Sequence, residues 1–137
     1  MPGIYNAHMS DTKKRILFMD DEPIIRDVAS EMLRFLGYDV IEADRGEEAL
    51  ELYSKALEEG NPFDLIIMDL TIPGGMGARE TIKPLLEMDP NVKAAVSSGW
   101  TQDPAVKNPR EFGFIGVVAK PYDIDDMEIC IAKILES

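Results

Sequence analysis

Asp69 closes the apolar run Leu65-Ile66-Ile67-Met68 and is followed by Leu70-Thr71-Ile72-Pro73-Gly74-Gly75. A carboxylate at the tip of so apolar a strand is a turn-forming cap, a metal ligand or a nucleophile. Three other apolar runs also end in reactive residues: Ile16-Leu17-Phe18-Met19 in Asp20-Asp21, a second run in Ser97, and Val117-Val118-Ala119 in Lys120. Gathered in one crevice, three carboxylates repel one another unless protons or a cation intervene. A hard divalent cation answers that repulsion, and an all-oxygen donor set suits Mg2+, which keeps several of its waters. Lys120 adds a mobile positive charge and Ser97 a hydroxyl donor for a further anionic group. Carboxylates, Mg2+, lysine and hydroxyl together describe phosphoryl transfer onto an aspartate, a reaction that needs mainly in-line positioning and neutralisation of the equatorial oxygens.

Short apolar runs alternating with longer amphipathic segments predict repeated strand-helix-strand units and a parallel sheet. Strands are expected near 15–19, 39–43, 65–69, 93–97 and 116–119. In the first helix Ile25, Val28, Ala29, Met32 and Leu36 recur at helical spacing, with Pro23 suited to the first turn and Gly37 to the end. Asp44 with Glu47 reads as a capping box for a second helix whose stripe is Ala49, Leu52, Tyr53 and Ala56, ending at Gly60. A third helix is expected from Gly77 to Met88, kinked at Pro84. The last runs from Ile124 to Glu136 behind an Asp123 cap and buries Met127, Ile131 and Ile134. Between Asp103 and Phe112 only one short helix fits, broken or bent by Pro109, so this is the segment of lowest expected local stability.

In open parallel sheets ligands bind beyond the carboxyl ends of the strands, where the strand order reverses. Asp20, Asp21, Asp69, Ser97 and Lys120 all fall at such ends. The expected fold is α/β, a flavodoxin-like (βα)5 doubly wound sheet; its order 2-1-3-4-5 is taken over from that fold rather than derived from the pattern. In this order the reversal separates strands one and three, which carry the carboxylates.

The 137 residues and 45% hydrophobic content suit one domain with a real core. Asp and Glu number 26 against 14 Lys and Arg, a net charge of -12. That charge argues against direct binding to nucleic acid or to anionic membranes. No apolar segment approaches the length of a membrane span and the N-terminus lacks a signal-peptide layout, so a cytoplasmic location is expected. Cys130, the only cysteine, permits no intrachain disulfide and should pack as a small hydrophobe in the last helix. His8, the only histidine, lies in a polar leader over 1–14 that is read as a cloning remnant or disordered, with a cloning junction at His8-Met9 ahead of a natural start near Ser10 and a domain at 15–137. No charge relay or zinc site built on a core histidine is available.

At this point the sequence resembles the receiver domain of two-component response regulators over essentially all of 15–136. The resemblance rests on Asp20-Asp21-Glu22-Pro23, on Asp69 with Pro73 and Gly77 four and eight positions on, on Ser97, and on Lys120-Pro121. It implies that Asp69 is the phosphoacceptor and that Asp21 binds Mg2+ directly. Asp20 would act largely through bound water, and the Thr71 carbonyl would be a further ligand. It also implies that Lys120 pairs with the phosphoryl group, that Ser97 is the switch hydroxyl with Ser98 auxiliary to it, that Thr71 and Gly99 flank the site, and that the bond before Pro121 is cis. The donor would be a phosphohistidine on a sensor histidine kinase or phosphotransfer domain, in cis or in trans, and a homodimer is allowed. The segments 70–77, 97–100 and 118–122 look most like receivers at the C-terminus of hybrid sensor histidine kinases. No output domain follows Ser137, so the chain is expected either to be excised from a larger protein or to act by docking. One departure stands out: many receivers place Tyr or Phe three residues before the lysine, and here that position is Val117.

Each residue also has a plainer reading. Asp69 could be a turn former, Asp20-Asp21-Glu22 a charge cluster favoured by a helix N-terminus, Lys120 a surface lysine, and Ser97 and Ser98 the start of a loop. Trp100 reads as a partly buried loop anchor and the methionines as core filler. Gly74-Gly75 with Gly77 lacks the spacing and lysine of a Walker loop. Two other functions share the same groups. A degenerate receiver would serve only as a protein-binding platform. A Mg2+-dependent aspartate-nucleophile phosphatase would normally show Asp-x-Asp after the first strand and a cap insertion. The leading expectation is a non-enzymatic phosphoacceptor module, limited to its own phosphorylation from a donor and its own dephosphorylation.

Overall fold

Five parallel strands form one sheet in the order β2-β1-β3-β4-β5 in a computed structural model that describes residues 13–100 and 102–137. The strands are β1 (Arg15–Met19), β2 (Asp39–Ala43), β3 (Leu65–Asp69), β4 (Ala94–Ser98) and β5 (Gly116–Ala119). The helices are α1 (Pro23–Phe35), α2 (Gly46–Glu58), α3 (Ala78–Met88), the short α4 (Pro104–Lys107) and α5 (Ile124–Glu136), with a 3-10 turn at Pro109–Phe112. The expected order and the reversal between β1 and β3 are both present. His8 and most of the leader lie outside the described residues, whereas the Lys14 carbonyl already accepts the Asp39 amide and so extends the β1-β2 pairing.

The strands are apolar on both faces because helices cover both sides, as parallel sheets require. On one face Leu17, Met19, Ile66, Met68 and Val96 pack with Ala49, Tyr53, Ala78, Ile82 and Leu85 of α2 and α3. On the other, Ile16, Phe18, Ile67, Ala95 and Val118 pack with Ala29 and Leu33 of α1 and with Met127, Ile131 and Ile134 of α5. Strand side chains alternate between faces. Asp20, Asp69, Ser97 and Lys120 are therefore in phase with the α1/α5 face, while Val117 packs with the α2/α3 face. This shared phase turns four strand ends into one site.

Several local expectations need correction. β4 runs from Ala94 to Ser98, one residue later than expected, so Ser97 is its penultimate residue. Asp44 and Glu47 do not form a capping box. The N-cap of α2 is Arg45, whose side chain makes no capping bond; Glu48 accepts the Asp44 amide and Glu47 the Met76 amide. Val28 is 42% exposed, and Leu33 and Ser30 are buried beside Ala29 instead. Pro84 does lie inside helix α3, as expected, and the helix runs from Ala78 to Met88 around it. Pro109 does separate α4 from the 3-10 turn, as a residue without an amide proton should. Asp123 caps α5 by accepting the Asp126 amide at 3.0 Å.

Gly77 shows why the spacing after Asp69 matters physically. A Cβ placed there would lie 2.4 Å from the Leu70 carbonyl oxygen, a backbone atom held by β3 and its exit loop. The Gly77 amide also donates to Glu80 at 2.9 Å and its carbonyl accepts the Thr81 hydroxyl at 2.7 Å, fixing the start of α3. Gly77→Ala must move backbone that carries Asp69, and a loss of about 2–4 kcal/mol is expected in denaturant unfolding. An unchanged midpoint would show that the loop yields freely.

Candidate functional site

The carboxyl ends of β1, β3, β4 and β5 bring the predicted residues together. Asp20 is wholly buried; its Oδ1 accepts the Glu22 amide at 2.9 Å and its Oδ2 accepts Lys120 Nζ at 2.8 Å. Its own backbone is fixed as well: the amide donates to the Ala43 carbonyl and the carbonyl accepts Arg26 Nη1. Lys120 Nζ also lies 3.3 Å from Asp69 Oδ1, so one ammonium bridges the carboxylates of β1 and β3. Asp21 is partly exposed at the mouth. Asp20, Asp21 and Asp69 each present an oxygen within 4.8 Å of the others.

Burial raises the Asp69 carboxyl most, Lys120 pulls it down, and Asp20 and Asp21 push it up again, leaving it at about 6. Burial lowers Lys120, but its hydrogen bond to Asp20 and the charge of Asp69 outweigh that and hold it at about 12. Three carboxylates against one ammonium leave two negative charges in excess when all are ionised. This imbalance, in an all-oxygen donor set without histidine or cysteine, fits a hard dication with room for water and phosphate oxygens.

Ser97 pairs with Asp69 across the β3-β4 ladder and is almost fully buried. Its hydroxyl meets the Tyr122 hydroxyl at 2.5 Å. Ser98, in the opposite phase, instead accepts the Trp100 amide at 2.9 Å and so shapes the exit loop rather than the crevice. Gly99 lies against the Lys120 side chain. Thr71 is exposed in the loop beyond β3, two residues from Asp69. The Lys120-Pro121 bond is cis. Trp100 is 63% exposed, so its anchor is its backbone amide and not its indole. Cys130 is half-buried and donates its thiol to the Val117 carbonyl.

Tyr122 is the residue that sequence reasoning missed. Its ring packs edge-on against Phe18 with centroids 6.0 Å apart, within the α1/α5 cluster. The available signal was its phase: Val118, Lys120 and Tyr122 alternate along β5 and its exit, and all three serve that face. The exit loop is further tied down by Asp103, which caps α4 through the Ala105 amide and pairs with Arg79 of α3.

A five-stranded parallel α/β sheet with acidic groups, a hydroxyl and a lysine gathered at its switch point is a flavodoxin-like doubly wound domain with one charged crevice. The family model described as response regulator receiver domain matches residues 16–132, and the chain belongs to that family. It is 34% identical over 110 residues to the chemotaxis protein CheY of Thermotoga maritima, covering 80% of this chain and 87% of that protein. It is 29% identical over 122 residues to sporulation initiation phosphotransferase F of Bacillus subtilis, covering 89% and 94%. The receiver domain of the sensor histidine kinase PA1611 from Pseudomonas aeruginosa, solved with a magnesium ion coordinated in its active site cleft, superposes with a TM-score of 0.78 at 20% identity, covering 91% of this chain and 99% of that one.

Proposed function

We propose that the chain is a phosphoacceptor module of a two-component phosphorelay, taking a phosphoryl group from a partner phosphohistidine onto Asp69. The observation that carries this reading is the bridging of Asp20 and Asp69 by Lys120 beside a third carboxylate, Asp21. In the transfer an Asp69 oxygen forms a bond to phosphorus as the phosphorus–nitrogen bond breaks; the electron pair leaves with the imidazole, which takes a proton from solvent. Hydrolysis returns the Asp69 carboxylate and inorganic phosphate. Because the nucleophile is already an anion, no general base is required, which agrees with the absence of a histidine among the described residues.

Asp21, Asp69 and the Thr71 carbonyl would hold Mg2+, with Asp20 acting through its water; the ion would neutralise the equatorial oxygens. Lys120 would release Asp69 and pair with the phosphoryl group while keeping Asp20. Ser97 would turn to donate to a phosphoryl oxygen. The donor would be a sensor histidine kinase or phosphotransfer domain. The segments 70–77, 97–100 and 118–122 support the subtype found in hybrid kinases. Turnover would be limited to the chain's own phosphoryl group, without external substrates, in the cytoplasm; no described helix is long and apolar enough to cross a membrane.

The test is incorporation of phosphate from a small-molecule phosphodonor with and without Mg2+. Incorporation that needs Mg2+ and stops on chelation is expected. Metal-independent incorporation, or none, would contradict the site chemistry, and steady hydrolysis of added phosphomonoesters would point to a phosphatase instead.

A further inference from the structure

The receiver reading leaves open what Ser97 does before a phosphoryl group arrives. Ser97 is almost fully buried, and its hydroxyl makes its hydrogen bond to Tyr122 at 2.5 Å rather than to Asp69 or Lys120. Tyr122 is not free to follow a moving partner. Its ring is held edge-on by Phe18, and it sits in the apolar α1/α5 cluster two residues after Lys120. A serine hydroxyl moves between discrete rotamers, so turning toward Asp69 carries its oxygen away from a fixed phenol. Val117, in the position where many receivers carry an aromatic ring, packs on the opposite face with Val96 and cannot take part in this contact.

We propose that Tyr122 is a positioning residue that holds the Ser97 hydroxyl in a resting orientation, and that phosphorylation exchanges the Ser97–Tyr122 bond for a Ser97–phosphoryl bond. This inference rests on the proposed phosphoacceptor function. Burial chiefly raises the Tyr122 hydroxyl, to about 12 once Ser97 and Lys120 have pulled it down, so the phenol keeps its proton at physiological pH and the bond persists there. The exchange makes the resting state compete with the phosphorylated one. Removing the phenol oxygen deletes the resting bond and leaves Ser97 buried without it, which favours the turned state.

The experiment is beryllofluoride binding by calorimetry at saturating Mg2+ on the whole chain, comparing wild type with Tyr122→Phe, each also in a Ser97→Ala background. Phenylalanine keeps the ring on Phe18, so folding is retained. Tyr122→Phe is expected to tighten binding about three- to tenfold, the worth of one net hydrogen bond, and to have no such effect when Ser97 is alanine. Equal or weaker binding by Tyr122→Phe overturns the exchange and leaves the receiver reading standing; weaker binding would mean that Tyr122 supports the turned serine as part of a hydroxyl chain. Equal tightening in both backgrounds overturns it by showing that the tyrosine acts on the ring packing alone. Failure of the wild type to bind beryllofluoride overturns the exchange together with the phosphoacceptor function.

Discussion

Asp69→Asn should make the Mg2+-free protein more stable at neutral pH while abolishing phosphoryl incorporation. Its carboxyl rises from an ordinary 3.8 to about 6 in the folded protein, chiefly by burial and with Asp20 and Asp21 adding to it. A carboxyl raised on folding binds its proton more tightly in the native state, so stability is highest below the unfolded value and falls as pH rises from about 4 to about 6. Above that window the charged form carries a penalty of about 2–3 kcal/mol, at ~1.4 kcal/mol per pH unit. Asparagine removes the charge and the penalty with it. Denaturant unfolding without Mg2+ should show Asp69→Asn ahead of wild type at pH 7.5, with the gap closing toward pH 4. Mg2+ should stabilise wild type and narrow the difference from the other side, since a ligand that binds only the native state adds to its stability. A variant less stable than wild type at pH 7.5 would mean that Asp69 is stabilised by the site rather than strained in it.

Lys120→Met should act in the opposite direction. Asp20 is completely buried, and Lys120 supplies the only cation within 4 Å of its carboxylate among the described residues. Deleting one partner of a buried pair leaves the other charge uncompensated, and Asp20 keeps only the Glu22 amide. The pair raises Lys120 from 10.5 to about 12, so its stabilisation is fully present at neutral pH and would fade only as pH rises through that range. A loss of about 2–4 kcal/mol is expected without Mg2+. Part of it should return on adding Mg2+, whose charge can stand in for the ammonium. Wild-type stability in the variant, with no response to Mg2+, would show that the bridge is incidental. The two variants together separate charge repulsion from charge pairing within one crevice.

The fold and most of the site were legible because the same feature encodes both. Each apolar run that ends abruptly in a reactive residue marks a strand and its carboxyl end, so Asp20, Asp69, Ser97 and Lys120 could be placed before their geometry was known. Alternation then sets their common face, and the structure adds that this is the face of α1 and α5. What failed were details decided by distant contacts. Glu47 looked like the partner of an Asp44 cap, yet its carboxylate is taken by the Met76 amide, 29 residues away. Val28 has helical spacing but lies at the edge of the face that α1 buries, and Leu33 fills the core instead. Trp100 was expected to anchor its loop by burial; Ser98 anchors the backbone and leaves the indole in solvent. Tyr122 could be read as part of a motif, but its bond to Ser97 depends on how the chain turns after Lys120, which no local pattern states. Gly77 was recognised by spacing, whereas its cause is a carbonyl from Leu70 where a methyl group would go.

The central claim is that Asp69, rather than its acidic neighbours, receives the phosphoryl group. The most direct measurement is to phosphorylate the chain with a small phosphodonor and Mg2+, reduce the acyl phosphate with borohydride, and map the peptides. Reduction converts a phosphorylated aspartate to homoserine. Homoserine at position 69 alone is the result this account predicts; homoserine at Asp20 or Asp21, or at no aspartate while phosphate is incorporated, would contradict it.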